Sequence, residues 1–273
     1  MGELGWGRRY LVCPPAHFEV AYAINPWMAG DEPVDPERAM TQWEGVVSLL
    51  RAAGAEVEVL DPVEGLPDLV FTANAGIVDG DRFVPARFRN PERQGETAHD
   101  IAWFAERGWR IDELPAGVSH EGAGDALPFD GTLVGGWRWR TDEQAQVAVA
   151  ERSGVPLQLV ALTDERFYHL DMSFSPLDDR HALTVPGVWD PDDAKAVAAL
   201  VPEPLELTLD EALAFTANSV AVGRNVVMSG CPPRVGRQLE RWGFSVEVAD
   251  VSEFLKAGGG VRCLTLALDV RLS

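Results

Sequence analysis

Cys263 closes a glycine run, Gly258-Gly259-Gly260-Val261-Arg262-Cys263, and a thiol placed there lies where backbone and substrate approach closely. As a thiolate it attacks electron-poor carbon; taken alone, the residue also reads as a small buried hydrophobe. The rest of the chain supplies what a nucleophile requires. His169 and Asp171 stand two apart in His169-Leu170-Asp171, and in a strand they project to one face, sharing a substrate group or a water. Imidazole suits proton transfer near neutral pH, although a solvated strand face accounts for the same spacing. Glu121-Gly122-Ala123-Gly124-Asp125 sets two carboxylates at the ends of a tight turn, at a pocket edge or on the surface. Asn74 interrupts an otherwise apolar strand expected between Val70 and Val78. An unpaired buried amide costs about 1–3 kcal/mol, so Asn74 is either satisfied structurally or used. Arginines gather at Arg87, Arg89 and Arg93 and again at Arg138 and Arg140; their forks suit a substrate carboxylate or the chain's own abundant acids.

The elements that position these residues repeat. Met40, Trp43, Val46, Val47 and Leu50 fall on one helical face, Gly54 follows as a C-cap, and Val57 and Val59 alternate as a strand. A helix ending near Gly108 leads to Trp109–Leu114, one ending near Gly154 to Leu157–Val160, and one ending near Gly243 to Phe244–Val248. These glycines lie 54, 46 and 89 residues apart, and the last gap fits a further unit, Ala194–Val201 followed by Leu205–Leu207. About five helix–strand units of roughly 45 residues signal a propeller or array. Phe71-Thr72-Ala73-Asn74 returns as Phe215-Thr216-Ala217-Asn218, and Cys13-Pro14-Pro15 as Cys231-Pro232-Pro233. With no low-complexity linker, residues 1–273 read as one α/β domain closed as a ring, its central channel collecting residues from every unit.

A formal charge of -20 argues against nucleic acid and anionic membranes as partners and suits a cationic small substrate. No apolar run is long enough to span a bilayer, and Met1–Arg9 lacks a signal-peptide layout. Three cysteines form no secreted disulfide framework, and no ligand spacing supports a zinc site. The expectation is a cytoplasmic, reduced, metal-independent protein. The nine tryptophans serve core packing, with a homodimer interface left open.

The set His-x-Asp, Glu-Gly-x-Gly-Asp and the Gly-rich terminal cysteine, in this order, resembles the guanidino-group-modifying superfamily of arginine deiminases, dimethylarginine dimethylaminohydrolases, arginine dihydrolases and amidinotransferases. The resemblance runs from Cys13-Pro14-Pro15 to Cys263 and implies a five-fold pseudosymmetric α/β propeller with no metal or organic cofactor. It implies Cys263 as nucleophile, His169 as general acid and base, and Glu121 and Asp171 as carboxylates holding a guanidinium. Asp125, Arg89 and Arg140 match substrate-binding positions, and Phe71 and Asp68 join Asn74 in that set. Asn74 stands where the deiminases have aspartate, a form similar to dimethylargininases and arginine dihydrolases; Ala123 is an insertion in the Glu-Gly-Gly-Asp pattern. The implied activity is hydrolysis of methylated arginine to citrulline and dimethylamine. The alternatives are arginine dihydrolase or deiminase, then an amidinotransferase or a non-catalytic arginine-binding propeller.

Overall fold

Short local signals start and stop the elements, as a computed structural model describes them for residues 3–30 and 32–272. Met1, Gly2, Asp31 and Ser273, which the N-terminal reading and the 1–273 span include, lie outside the described residues. After β1 (Arg9–Val12), Asp35 caps α1 (Pro36–Ala52) by accepting from the Glu37 and Arg38 amides, with Pro36 at the first helical position. The helix buries Ala39, Gln42, Val46, Val47 and Leu50, so its inner face is rotated from the one expected: Met40 and Trp43 lie half-buried at its edge. Gln42 enters the core because its amide is used twice, donating to Ser252 Oγ (2.8 Å) and accepting from the Glu253 N–H (2.9 Å). Gly54 turns the chain at φ +97° into β2 (Glu56–Val59).

The same unit then recurs as a hairpin, a helix and a third strand. It comprises β3 (Gly76–Asp79), β4 (Arg82–Pro85), α2 (Glu96–Glu106) and β5 (Arg110–Ile111). Next come β6 (Ala126–Phe129), β7 (Thr132–Trp137), α3 (Glu143–Ser153) and β8 (Leu157–Ala161), then β9 (Phe174–Pro176), β10 (His181–Thr184), α4 (Pro191–Leu200) and β11 (Glu203–Glu206). After α5 (Leu209–Leu213) follow β12 (Ser219–Val222), β13 (Asn225–Met228), α6 (Pro233–Arg241) and β14 (Ser245–Val248), and finally α7 (Ser252–Leu255) and β15 (Leu266–Ala267). Gly108, Gly154 and Gly243 end their helices at φ +88°, +70° and +77°, while the fourth helix passes into Val201 instead.

Five three-stranded sheets result. In four, the hairpin is antiparallel and the helix returns its strand parallel to the middle one. In the remaining sheet β15 takes the hairpin position on β1, antiparallel with Tyr10 opposite Ala267, and β2 lies parallel on the other side. One end of the chain thereby completes the sheet begun by the other, which closes the five-unit ring. The first strand of each hairpin is wholly buried in β3, β9 and β12, whereas β2 and β14 are exposed to half-buried. First strands therefore line the centre and third strands the rim. None of the nine tryptophans is exposed, consistent with packing duty. Among the described residues no helix is long and apolar enough to cross a membrane.

Candidate active site

The chemistry-bearing residues come from one equivalent place in each unit, the turn before the first, buried strand. Thr72–Asn74 precedes β3, Gly122–Gly124 precedes β6, Leu170–Met172 precedes β9, Phe215–Asn218 precedes β12, and the glycine run with Cys263 precedes β15. Two expectations are corrected here. His169 and Asp171 lie not on a strand but at the cap and in the middle of a 3-10 turn, Leu170–Met172, and Asn74 likewise ends a 3-10 turn and interrupts no strand. The turns converge because only tight, buried backbone fits at the ring's centre. A Cβ on Gly260 would stand 2.6 Å from Asn218 Oδ1, one on Gly259 would overlap the Phe71 ring, and Gly258 holds φ +81°. Gly124 is constrained in the same way, its Cβ position lying 2.6 Å from Asn74 Nδ2.

Cys263 is buried and lines a small cavity whose walls include Asp68, Phe71, Asn74, Arg93, Arg140 and His169. Its Sγ lies 3.6 Å from Asp171 Oδ2, and Asn218 Nδ2 donates to it at 3.1 Å. Asn218 Oδ1 in turn accepts from the Arg262 and Cys263 amides (3.0 and 3.4 Å), locking the thiol's backbone to its donor. Burial, reinforced by the Asp171 charge, raises the thiol well above its ordinary value. In the free protein it is therefore held protonated. Asp171 is itself raised to about 6 by burial, against the attraction of His169 and Arg262. Its Oδ1, and Oδ1 of Asp68, are buried without a hydrogen-bond partner among the described residues.

His169 sits between two carboxylates. Its Nδ1 is 3.0 Å from Asp125 Oδ2 and its Nε2 is 3.3 Å from Glu121 Oε2. Burial alone would lower the imidazole, but Asp125 and Glu121 overcome it and raise it to about 9, so the ring is protonated at neutral pH. Glu121 would rise on burial; Arg140 at 2.8 Å and His169 bring it down to about 2 instead. Asp125 is not at the substrate cavity's edge as expected from its turn. Its Oδ1 accepts from the Leu170 amide and its Oδ2 from Thr141 Oγ1, so it stands behind the imidazole and fixes the ring. Asn74 Nδ2 donates to the Glu121 carbonyl (3.2 Å) and lies 3.4 Å from His169 Nε2.

The two arginines expected to bind substrate lie in different surroundings. Arg140 is buried at the cavity, its Nη2 donating to the Ile24 carbonyl. Arg89 is exposed and paired with Asp142 at 2.5 Å; only its backbone N–H reaches Glu121 Oε1, at 3.4 Å. Arg93 takes the inward place. It is buried, pairs with Glu96 at 2.7 Å, donates to Asn74 Oδ1 at 2.8 Å and approaches Asp68 to 3.8 Å. Asn218 was missed outright, although the Phe-Thr-Ala-Asn echo of Asn74 was the signal for it.

A buried thiol, a protonated imidazole held by carboxylates and five turns around one axis define the class of guanidino-modifying propeller enzymes, the penteins. Residues 22–270 match the family described as N,N dimethylarginine dimethylhydrolase, eukaryotic, and the chain belongs to that family. It is 39% identical to the N(G),N(G)-dimethylarginine dimethylaminohydrolase of Mycobacterium tuberculosis, over 96% of this chain and 86% of that one. It is 40% identical to the bifunctional arginine dihydrolase/ornithine cyclodeaminase AgrE of Nostoc, over 94% of this chain but 37% of that longer protein. Among solved structures, the N-terminal domain of ArgZ, an arginine dihydrolase of cyanobacteria in a substrate-bound variant, superposes with TM-score 0.94 at 36% identity, covering 97% of this chain and 99% of that one. Another variant of that domain is covalently bound to a reaction intermediate (TM-score 0.93, 37% identity, 95% and 97% covered). The chain is thus a hydrolase of amidine C–N bonds.

Proposed function

We propose that the protein hydrolyses the guanidinium C–N bond of arginine or a methylated arginine through a covalent intermediate on Cys263, and that residues 1–273 act as one catalytic domain. One observation carries the substrate class: the thiol lies 3.6 Å from Asp171 Oδ2, while the other oxygen of that carboxylate and Oδ1 of Asp68, a residue lining the thiol's cavity, lack donors among the described residues, and a guanidinium supplies N–H groups and positive charge together. Binding it ionises the thiol, whose proton leaves to solvent. The thiolate attacks the guanidinium carbon, protonated His169 gives its proton to the departing amine, and a thiouronium remains on sulfur. Neutral His169 then takes a proton from water; the hydroxide adds to the same carbon, the C–S bond breaks, and citrulline leaves. Glu121 and Asp125 hold the imidazole, and Arg93 and Arg140, the arginines lining this cavity, bind the substrate carboxylate in preference to Arg89.

Methylated arginine follows the family, with dimethylamine as the second product. A second reading, arginine dihydrolysis to ornithine, ammonia and carbon dioxide, is favoured by the acceptors at the thiol. A dimethylated nitrogen has no N–H to offer Asp171, whereas every nitrogen of arginine's guanidinium has one. Product analysis by mass spectrometry with arginine, asymmetric dimethylarginine and citrulline tests both. Dimethylamine from the methylated substrate alone supports the first, ornithine from arginine the second, and turnover of none refutes the hydrolysis of these substrates. Cys263→Ser is expected to keep the fold and abolish turnover; retained activity overturns the covalent route.

A further inference from the structure

Of the two arginines lining the cavity at Cys263, Arg93 is the more completely held. Glu96, the first residue of α2, takes its fork with both oxygens: Arg93 Nε donates to Oε1 at 2.8 Å and Nη2 to Oε2 at 2.7 Å. Nη2 also donates to the Asp68 carbonyl (3.1 Å) and Nη1 to Asn74 Oδ1 (2.8 Å), while the Phe88 ring lies 4.5 Å from the guanidinium carbon. A guanidinium has five N–H groups, so among the described residues one is left, on the nitrogen that meets Asn74. Arg140, by contrast, gives one N–H to Glu121 and one to the Ile24 carbonyl. Glu121 also faces His169, whereas the side-chain hydrogen bonds of Glu96 go to Arg93 alone among the described residues, and Glu96 lines no part of the cavity. Both Arg93 and Glu96 are buried. Burying two charges is costly, and apolar residues of the same volume would fill the space as well. What the ionic pair adds is a fork with a fixed aim.

We propose that Glu96 is a positioning residue for substrate specificity: it holds the Arg93 fork so that the free N–H on Nη1 meets the substrate carboxylate, and the protein thereby prefers guanidino compounds that carry one. The inference rests on Arg93 binding that carboxylate, as proposed above. A long side chain that must be ordered when its ligand arrives gives up part of the binding energy, and a fork already held gives up less. Glu96 itself is held ready, since an acid in the first turn of a helix is favoured by the helix dipole.

Isothermal titration calorimetry on the Cys263→Ser protein at pH 8 tests it, comparing arginine with agmatine, which is arginine without its carboxylate. Burial raises the Glu96 carboxyl to about 7, so it is ionised there. Arginine is expected to bind at least about tenfold more tightly than agmatine. Glu96→Gln, with one acceptor oxygen where the fork meets two, should cut that advantage to about threefold or less by weakening arginine, with agmatine little changed. Glu96→Asp, charged but shorter, should not restore it. A retained advantage in Glu96→Gln, restoration by Asp, equal weakening of both ligands, or no advantage with Glu96 in place overturns the proposal. Failure to bind arginine at all at about 10 mM overturns the hydrolase reading instead, and this inference with it. If neither variant folds, the comparison at pH 8 and pH 6 with Glu96 in place decides. Around Glu96 stand Arg93, Asp68 and Glu121, with Asp100 on its own helix and Cys13 just after β1. Protonating Glu96 opens the fork, so the arginine advantage should shrink by about threefold or more at pH 6. Titration of Asp171 and His169 acts on the guanidinium that both ligands share and cancels in the ratio. An advantage unchanged between the two pH values overturns the proposal.

Discussion

Asp171→Asn should make this protein more stable and less active, in a pH-dependent way. Burial raises the Asp171 carboxyl from 3.8 to about 6, so the folded chain binds that proton more tightly than the unfolded chain does. The stability this contributes is complete below about pH 4 and is lost as pH rises through 6. At ~1.4 kcal/mol per pH unit, the ionised carboxylate costs the empty protein about 3 kcal/mol at pH 7.5. The amide keeps an acceptor for the Cys263 thiol and carries no charge, so the substitution should recover much of that, raising Tm by on the order of 5 °C. Below pH 4 the two proteins should melt together. In turnover the sign reverses: a charged hydrogen bond to the guanidinium is gone, for a loss of about 10- to 100-fold in kcat/KM. In the unsubstituted protein kcat/KM should fall as pH drops through about 6 and the carboxylate protonates. Melting curves from pH 4 to 8 beside steady-state kinetics check all three. A variant that melts lower at pH 7.5, or a stabilisation that persists at pH 4, refutes the reasoning.

His169→Ala removes the proton donor and acceptor of both half-reactions and should lower kcat by about 10²- to 10⁴-fold in steady-state kinetics. Asn218→Ala deletes the donor to Cys263 Sγ and should slow adduct formation by about 10- to 100-fold with little change in arginine affinity, read by single-turnover quench against calorimetry on the Cys263→Ser background. Arg93→Ala should raise KM by at least about tenfold while Arg89→Ala, spent on Asp142, stays within about threefold of the parent in the same kinetic assay. Asn74→Asp places a carboxylate oxygen against the Glu121 carbonyl that now accepts from the amide, and should shift the citrulline-to-ornithine ratio measured by mass spectrometry.

How much of this was legible in the sequence follows from range. The helix–glycine–strand rhythm is local, and Gly54, Gly108, Gly154 and Gly243 do cap their helices with positive φ. Even the unit lacking a glycine was placed by its period, over Pro191–Leu200 and Glu203–Glu206. Cys263 and His169 stood out because thiol and imidazole are scarce and chemically particular. What failed depends on which way a side chain turns within a short turn. Asp171 reaches the thiol and Asp125 goes behind the imidazole, though both flank glycine- or leucine-linked turns of similar appearance. Arg89 and Arg93 differ by one turn of chain, and only the partners Glu96 and Asp142, on separate helical segments, send one inward and the other to solvent. Gln42 reads as a surface residue on any helical wheel; its burial needs Ser252 and Glu253, more than 200 positions away.

The seam between β15 and β1 is where the thiol is anchored. Asn74, Glu121, His169 and Asn218 come from the other four units, whereas Cys263 lies just before the strand whose Leu266 and Ala267 pair with Leu11 and Tyr10, and Asp269 beyond it accepts from the Gly7 and Arg8 amides. The nucleophile is thus set by the one sheet that joins distant parts of the chain, and its partners by sheets built from local sequence.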